Sequence, residues 1–297
     1  MTTTQNDEFA VFILTHGRPD NVKTFKTLKK CNYTGRIYFV VDNEDKTVQK
    51  YIENFGSENV KVFDKFAISE TFDEGNNFED RKTIVYARNA CFQIAKEEGL
   101  KYFVQLDDDY VSFEFRYISP DGKKLLVDKR MNLDVVFQLH LDFFKSTPFN
   151  SIAFAQGGDF IGGIENPYVQ KRPLLRKCMN SFICSIDRPF QFIGSINEDV
   201  NTYTTLGSRG VLFGTVPMVS LVQTATQSSK SGMTEAYLRF GTYCKSFTTV
   251  IMQPSSVKVA MMSSSNPRIH HSISWLNTTP FILDEKHRKE DTPDINV

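Results

Sequence analysis

Three consecutive aspartates, Asp107, Asp108 and Asp109, stand at the end of the apolar run YFVQL (102–106), and the chain turns apolar again directly after them. Like charges in a row repel one another, and the edge of a core is a costly place to keep them. Asp107 and Asp109 are one residue apart in an extended chain, so their carboxylates can point to the same side. A hard divalent cation between them cancels the repulsion. Mg²⁺ or Mn²⁺ held by one or two carboxylates together with substrate phosphates is a common arrangement, and it offsets the charge that builds on a departing diphosphate. A plain acidic loop uses the same letters. Two further polar clusters follow short apolar runs: Thr15, His16, Gly17 and Arg18 after AVFIL, and Asp42 after RIYFVV. Arg18 near a helix start opposes the helix dipole, an objection that a bound phosphate removes. Asp42 reads equally as a cap or turn residue. Glu198 and Asp199 follow Asn197 as an acidic pair, which also suits the first turn of a helix.

The elements that must position these residues alternate over the first half. AVFILTH (10–16), GRIYFVVD (35–42), VKVFDK (60–65) and the run into the aspartates read as buried strands. Between them, DNVKTFKTLKKC, TVQKYIENFG and TIVYARNACFQIAKEEGL carry helical spacing, with Pro19 as an early helical residue of the first and Gly56 closing the second. Such alternation predicts a largely parallel sheet covered on both faces, with ligands at the carboxyl ends of its strands. The second half is less regular. An amphipathic helix is expected over 132–147, strands at SIAFAQGG (151–158), SFICSI (181–186), FQFIGS (190–195) and SVKVAMM (256–262), and a helix in TEAYLRFGTYCKSF. TQSSKSGMT (226–234) suits a lid or a surface loop, and Gly157-Gly158 a tight turn or a close backbone approach to a ligand.

The chain has 297 residues, 40% hydrophobic and 24% charged, with formal net charge +0. One large domain fits that length, and no global field draws it toward a polyanion. Two local clusters are basic: Lys171, Arg172, Arg176 and Lys177, and Lys123, Lys124, Lys129 and Arg130. The five cysteines are scattered without a CxxC pair, which suits a reduced compartment. No apolar run has the length of a membrane span and no leader-like segment opens the chain, so a cytoplasmic protein is expected, in a host cytoplasm if phage-encoded.

FILTHGRPDN, YFVVDNED and ARNACFQIAKEEGLKYFVQLDDDY, in that order, resemble the nucleotide-sugar domain of GT-A glycosyltransferases over roughly residues 9–115. Those enzymes pair a Thr-x-x-Arg-Pro strand end with an Asp at the second strand's end, an Ala-Arg-Asn helix and an Asp-x-Asp strand end. Within that group the chain most resembles the phage TET-associated glycosyltransferases, relatives of the base J glucosyltransferase. The likeness continues more loosely through INEDVNTYTTLGSRG and PRIHHSISW. The resemblance implies an α/β GT-A-like fold: residues 1–115 as the nucleotide-sugar half, 116–284 as the acceptor and catalytic half, and 285–297 as a charged tail. It implies a UDP-sugar donor, Mn²⁺ or Mg²⁺, and a hydroxymethylated pyrimidine of DNA as acceptor. A glycan or protein acceptor, or an inactive binding module, remains the alternative.

Roles follow from that resemblance. Asp107 and Asp109 would hold the metal, Asp109 more directly, completed by a late histidine, with His270 favoured over His271. Thr15, Arg18 and Asp42 would hold uracil and ribose, and Asp107 and Asp108 would join the donor contacts. Arg81 or Arg88 would face the diphosphate, with a salt bridge to Glu79 or Asp80 as the alternative for Arg81. Asp199 would be the base of an inverting transfer, with Glu198 as alternative. Lys171, Arg172, Arg176 and Lys177 would meet nucleic-acid phosphates.

Overall fold

The computed structural model describes residues 7–75, 81–171, 177–224, 241, 243–262 and 267–279. The first half builds β1 (Phe9–Leu14), α1 (Lys23–Lys30), β2 (Arg36–Asp42), α2 (Val48–Phe55), β3 (Val60–Phe63), α3 (Lys65–Ser69), α4 (Val85–Glu97) and β4 (Tyr102–Asp107). The second half adds β5 (Tyr110–Ile118), β6 (Leu125–Asp128), α5 (Leu133–Lys145), β7 (Ser151–Gln156), α6 (Pro167–Lys171), β8 (Ser181–Ser185), α7 (Glu198–Gly207) and β9 (Phe213–Gln223). It closes with α8 (Cys244–Met252), a β10 (Val257–Met262) and β11 (Arg268–Ile273) hairpin, and α9 (Trp275–Thr278).

A single nine-stranded sheet runs through both halves in the order β3-β2-β1-β4-β8-β7-β9-β5-β6. The first four strands are parallel, as their alternation with helices requires; β8 and β5 run against the rest. Every residue of β1 is buried, because successive side chains feed two cores. Val11 and Ile13 pack with Leu28, Tyr51, Phe137 and Leu141 from α1, α2 and α5. Phe12 and Leu14 pack with Tyr86, Ile94, Val200 and Tyr203 from α4 and α7 on the other face. Arg88 on α4 and the acidic pair on α7 therefore share one side of the sheet.

Chain order reverses between β1 and β4, which leaves a crevice at their carboxyl ends. The aspartates occupy that crevice, where the chain leaves β4 for β5 at the far side of the sheet. Two expectations change. The first helix begins at Lys23, so Pro19 lies in the preceding turn, where Asn21 N–H donates to the Arg18 carbonyl. FQFIGS is not a strand: its backbone is satisfied by helix side chains, with Phe192 N–H donating to Asn89 Oδ1 and Ile193 N–H to Thr202 Oγ1. Gly157-Gly158 opens a short 3-10 turn, in keeping with the tight-turn reading, closed by Gln156 N–H donating to Asp159 Oδ2. The segment 226–234, the tail 285–297 and the part of TEAYLRFGTYCKSF before α8, except Gly241 and Tyr243, lie outside the described residues. Among those described, no helix is long and apolar enough to cross a membrane.

Candidate functional site

Neighbouring elements stitch the aspartate turn in place. Thr24 at the start of α1 donates from Oγ1 to the Asp107 carbonyl at 2.5 Å, accepts Tyr110 N–H at 3.0 Å, and gives its own N–H to the Asp108 carbonyl. Thr224, just past β9, bonds the Asp109 carbonyl through both its N–H and its hydroxyl, and Lys23 steadies that hydroxyl. With the backbone fixed, the three carboxylates part company. Asp108 turns inward, where Oδ2 accepts from Thr15 at 2.8 Å and Oδ1 from Arg18 at 3.0 Å. Asp107 Oδ1 accepts from Arg88 Nη2 at 3.0 Å. Asp109 keeps one buried oxygen, Oδ1, with no hydrogen-bond partner.

Burial pushes all three carboxyls up from their ordinary range, Asp107 to about 7. At Asp107 the Arg88 charge opposes that rise, and the neighbouring Asp109, Glu198 and Asp108 add to it. An anionic, oxygen-only pair with an orphaned buried oxygen fits a hard divalent cation. Among the described residues no third His, Cys, Asp or Glu is gathered with a pair into a complete metal cage. Asp107 and Asp109 are therefore the residues that would hold such an ion, with substrate oxygens completing it.

Arg88 does not face an open phosphate site as expected. It is 1% exposed, its guanidinium lies near the rings of Phe182 and Phe192, and it reaches Asp107 with one arm and Glu198 Oε1 with another at 2.9 Å. Burial works against its charge, but the two carboxylates outweigh that and raise its pKa. Glu198 is thereby the partner of a buried cation. Asp199, 5% exposed on the same first turn of α7, is pushed up to about 6 by burial and then by the Glu198 charge. The turn is set by Asn197, whose φ of 59° is left-handed and whose amide donates to the Lys245 carbonyl and Thr249 Oγ1, pinning α7 to α8.

The β1–β2 rim also departs from expectation. Thr15 is bonded to Tyr51 OH and Asp108, and the charge of Arg18 is paired with Asp108, so Thr15 and Asp108 tie the β1 loop to the end of β4. Asp42 is 4% exposed, clasped by His16 Nδ1 at 2.7 Å and Lys65 Nζ at 3.0 Å. Burial alone would raise its carboxyl, but those two partners outweigh it and hold it below the usual range. Arg81 pairs with Glu44 at 3.1 Å; Glu79 and Asp80 lie outside the described residues.

Of the paired histidines, His271 shares a strand face with Ile273, which packs on the core, while His270 takes the opposite face. His271 is the inward one: its Nδ1 is buried without a partner, and burial lowers its pKa to about 4. Neither histidine joins the aspartates in a three-ligand group. In the basic cluster, Lys177 is paired with buried Asp159 at 2.6 Å, which offsets its charge. Lys171 is exposed at the end of α6, and Arg172 and Arg176 lie outside the described residues. Lys65, Tyr51, Thr24 and Thr224 escaped the sequence reading of the site, and His16 stood in its first polar cluster without a role of its own. Only His16 carried a signal, by standing between Thr15 and Arg18.

A family model described as TAGT, TET-Associated Glycosyltransferase, matches residues 9–232. No curated protein matches the chain. Among solved structures, glucosyl-3-phosphoglycerate synthase from Mycobacterium tuberculosis, in complex with Mn²⁺, UDP and phosphoglyceric acid, is 10% identical with a TM-score of 0.45, over 89% of this chain and 86% of that one. The mannosyltransferase PcManGT from Pyrobaculum calidifontis, in complex with GDP-Man and Mn²⁺, is 11% identical with a TM-score of 0.47, over 82% and 73%.

Proposed function

The chain belongs to the TET-associated glycosyltransferase family, and from that premise we propose that it moves a sugar from a UDP-sugar to the hydroxyl of a hydroxymethylpyrimidine in DNA, with inversion. Glycosyl transfer is the family's activity; the donor base, the acceptor and the stereochemistry are our reading. One observation carries it: buried Arg88 joins Asp107, at the rim of the donor crevice, to Glu198, beside the acid Asp199. Donor and acceptor chemistry thus meet in one ion-pair network.

A divalent ion on Asp107 and Asp109 would offset the charge developing on the departing diphosphate. Glu198, committed to Arg88, serves as counter-ion. Asp199, titrating near 6, is ionised at neutral pH yet basic enough to take a proton. It removes the hydroxymethyl proton as the oxygen bonds to the anomeric carbon. The bond from that carbon to the diphosphate breaks on the opposite side, and its electron pair leaves with the diphosphate.

The test is transfer from a panel of UDP-sugars, with Mn²⁺, to plain and to hydroxymethylated DNA. Labelling confined to hydroxymethylated DNA supports the reading; equal labelling of both, or of neither, removes the acceptor. The commitment of Lys177 to Asp159 favours a second reading, the same chemistry on a glycan or protein hydroxyl, because it shrinks the basic patch. Loss of transfer in Asp109→Asn separates either enzyme from an inactive binding module.

A further inference from the structure

We propose that His16, and not Asp42, reads the donor's nucleobase, and that it selects a base carrying a ring imide N–H. The inference rests on the nucleotide-sugar reading above and concerns how that donor is chosen.

Placement comes first. Asp107 and Asp109 at the end of β4 belong with the diphosphate, so a nucleotide lying along the rim extends its base over β1 and β2. On that side Asp42 is buried beneath its partners and shows little of its carboxylate to a ligand. Its Oδ2 takes His16 Nδ1, its Oδ1 takes the ammonium of Lys65 and the N–H of Glu44, and it is 4% exposed. What the pair presents to solvent is the imidazole, whose side chain is 58% exposed. A second carboxylate, Asp45, lies 3.7 Å from the same ring nitrogen and accepts Gly17 N–H at 2.7 Å. Gly17 has a φ of 69°, the left-handed turn that brings its N–H down to Asp45 and leaves His16 at the crest.

The chemistry then follows from the pinned nitrogen. An ionised carboxylate only accepts hydrogen bonds, so Nδ1 carries the hydrogen, and the neutral ring shows a lone pair at Nε2. That lone pair accepts the imide N–H of uracil. Cytosine has a lone pair at the same ring position, so it would set lone pair against lone pair and leave both unpaired. Protonation of the ring reverses the preference, because Nε2–H then donates and suits cytosine. The charged groups that face His16 are the carboxylates of Asp42 and Asp45 and the ammonium of Lys65; the hydrogen bond to Asp42 is the strongest influence and raises the imidazole's pKa.

The experiment measures UDP and CDP binding to the full chain with Mn²⁺, in wild type, His16→Ala and His16→Gln. The two nucleotides share the same diphosphate, so its interactions with metal and protons cancel in the ratio of their affinities. In wild type we expect UDP to be favoured about tenfold at about pH 8 and no more than about twofold at about pH 5.5. In both variants the ratio should be small and the same at both pH values. A wild-type ratio that does not move with pH, or one that survives intact in His16→Ala, overturns the proposal. Binding of neither nucleotide to wild type removes the nucleotide-sugar reading itself, and this inference with it.

Discussion

Replacing Arg88 by methionine removes the one cation shared by Asp107 and Glu198 while keeping most of the side chain's apolar length. Breaking a buried ion pair by deleting one partner costs about 3–5 kcal/mol, because the remaining charge stays buried without compensation. Glu198 is stranded 2.9 Å from the lost guanidinium, whereas Asp107, 3.0 Å from it and already pushed up to about 7, takes a proton instead. Against that, Arg88 Nη1 is itself buried without a hydrogen-bond partner, so the substitution also relieves one existing penalty. A net loss of about 3–4 kcal/mol is expected, which lowers Tm by roughly 6–16 °C for a chain of this size. Thermal unfolding of the metal-free protein, followed by circular dichroism, reads it. The loss should shrink as pH falls, since a protonated carboxyl needs no counter-ion. Adding Glu198→Gln to Arg88→Met should recover part of the loss, because neutralising Glu198 removes one stranded charge. A variant that melts within about 2 °C of wild type, or a double variant whose losses simply add, would refute the buried bridge.

Three further outcomes are expected. Asp199→Asn should lower kcat by about 10²–10⁴ with donor binding retained, and wild-type kcat should rise with pH through about 6 as Asp199 loses its proton; a flat acid limb argues against Asp199 as base. Mn²⁺ affinity, measured by titration calorimetry without donor, should increase between about pH 5 and pH 8, because protons compete with the ion for Asp107, whose carboxyl is pushed up to about 7. Stability should depend on His140, which is buried on α5 with its pKa lowered to about 4 by desolvation. The unfolded chain binds that proton below about 6.5 and the native chain only below about 4, so stability is lost as pH falls across that window, by up to about 3 kcal/mol. Urea unfolding of His140→Leu should show a pH dependence reduced by that amount; an unchanged slope sinks the assignment.

How much of this the sequence disclosed depends on the range of the forces involved. The parallel half was legible because every residue of β1 is buried and helical spacing separates β1, β2, β3 and β4, a local pattern with one architectural solution. FQFIGS misled for a local reason as well. Phe190 and Phe192 do go inward, meeting Phe213 and Phe182 edge to face, but Asn89 and Thr202 satisfy the backbone that a strand would have paired. Arg88 stood out through its Ala-Arg-Asn helix, whereas its destination did not, since Glu198 lies 110 residues away. Asp42 was placed at the strand end where it stands, while its partners were not foreseen, because nothing near it in the chain announces that Lys65 and His16 will clasp it.

The same distinction explains why three aspartates in a row are tolerable where an isolated pair would suffice to hold an ion. Their side chains do not share one environment. The middle residue is drawn down between Thr15 and Arg18, so its charge is spent tying the β1 loop to the end of β4. That tie fixes Arg18, whose N–H in turn bonds Tyr51 OH on α2, and Tyr51 OH also pairs with Thr15. Asp108 thereby locks the β1–β2 rim, while Asp107 is balanced from the opposite side by Arg88 and, of the three, only Asp109 keeps an uncompensated buried oxygen. Asp108→Asn should therefore loosen the β1 loop and weaken nucleotide binding more than it weakens binding of Mn²⁺ alone, whereas Asp109→Asn should do the reverse. Calorimetric titrations of each variant with Mn²⁺, then with UDP at saturating Mn²⁺, separate the two effects, and equal losses in both titrations for both variants would mean that the triplet acts as one undivided acidic patch.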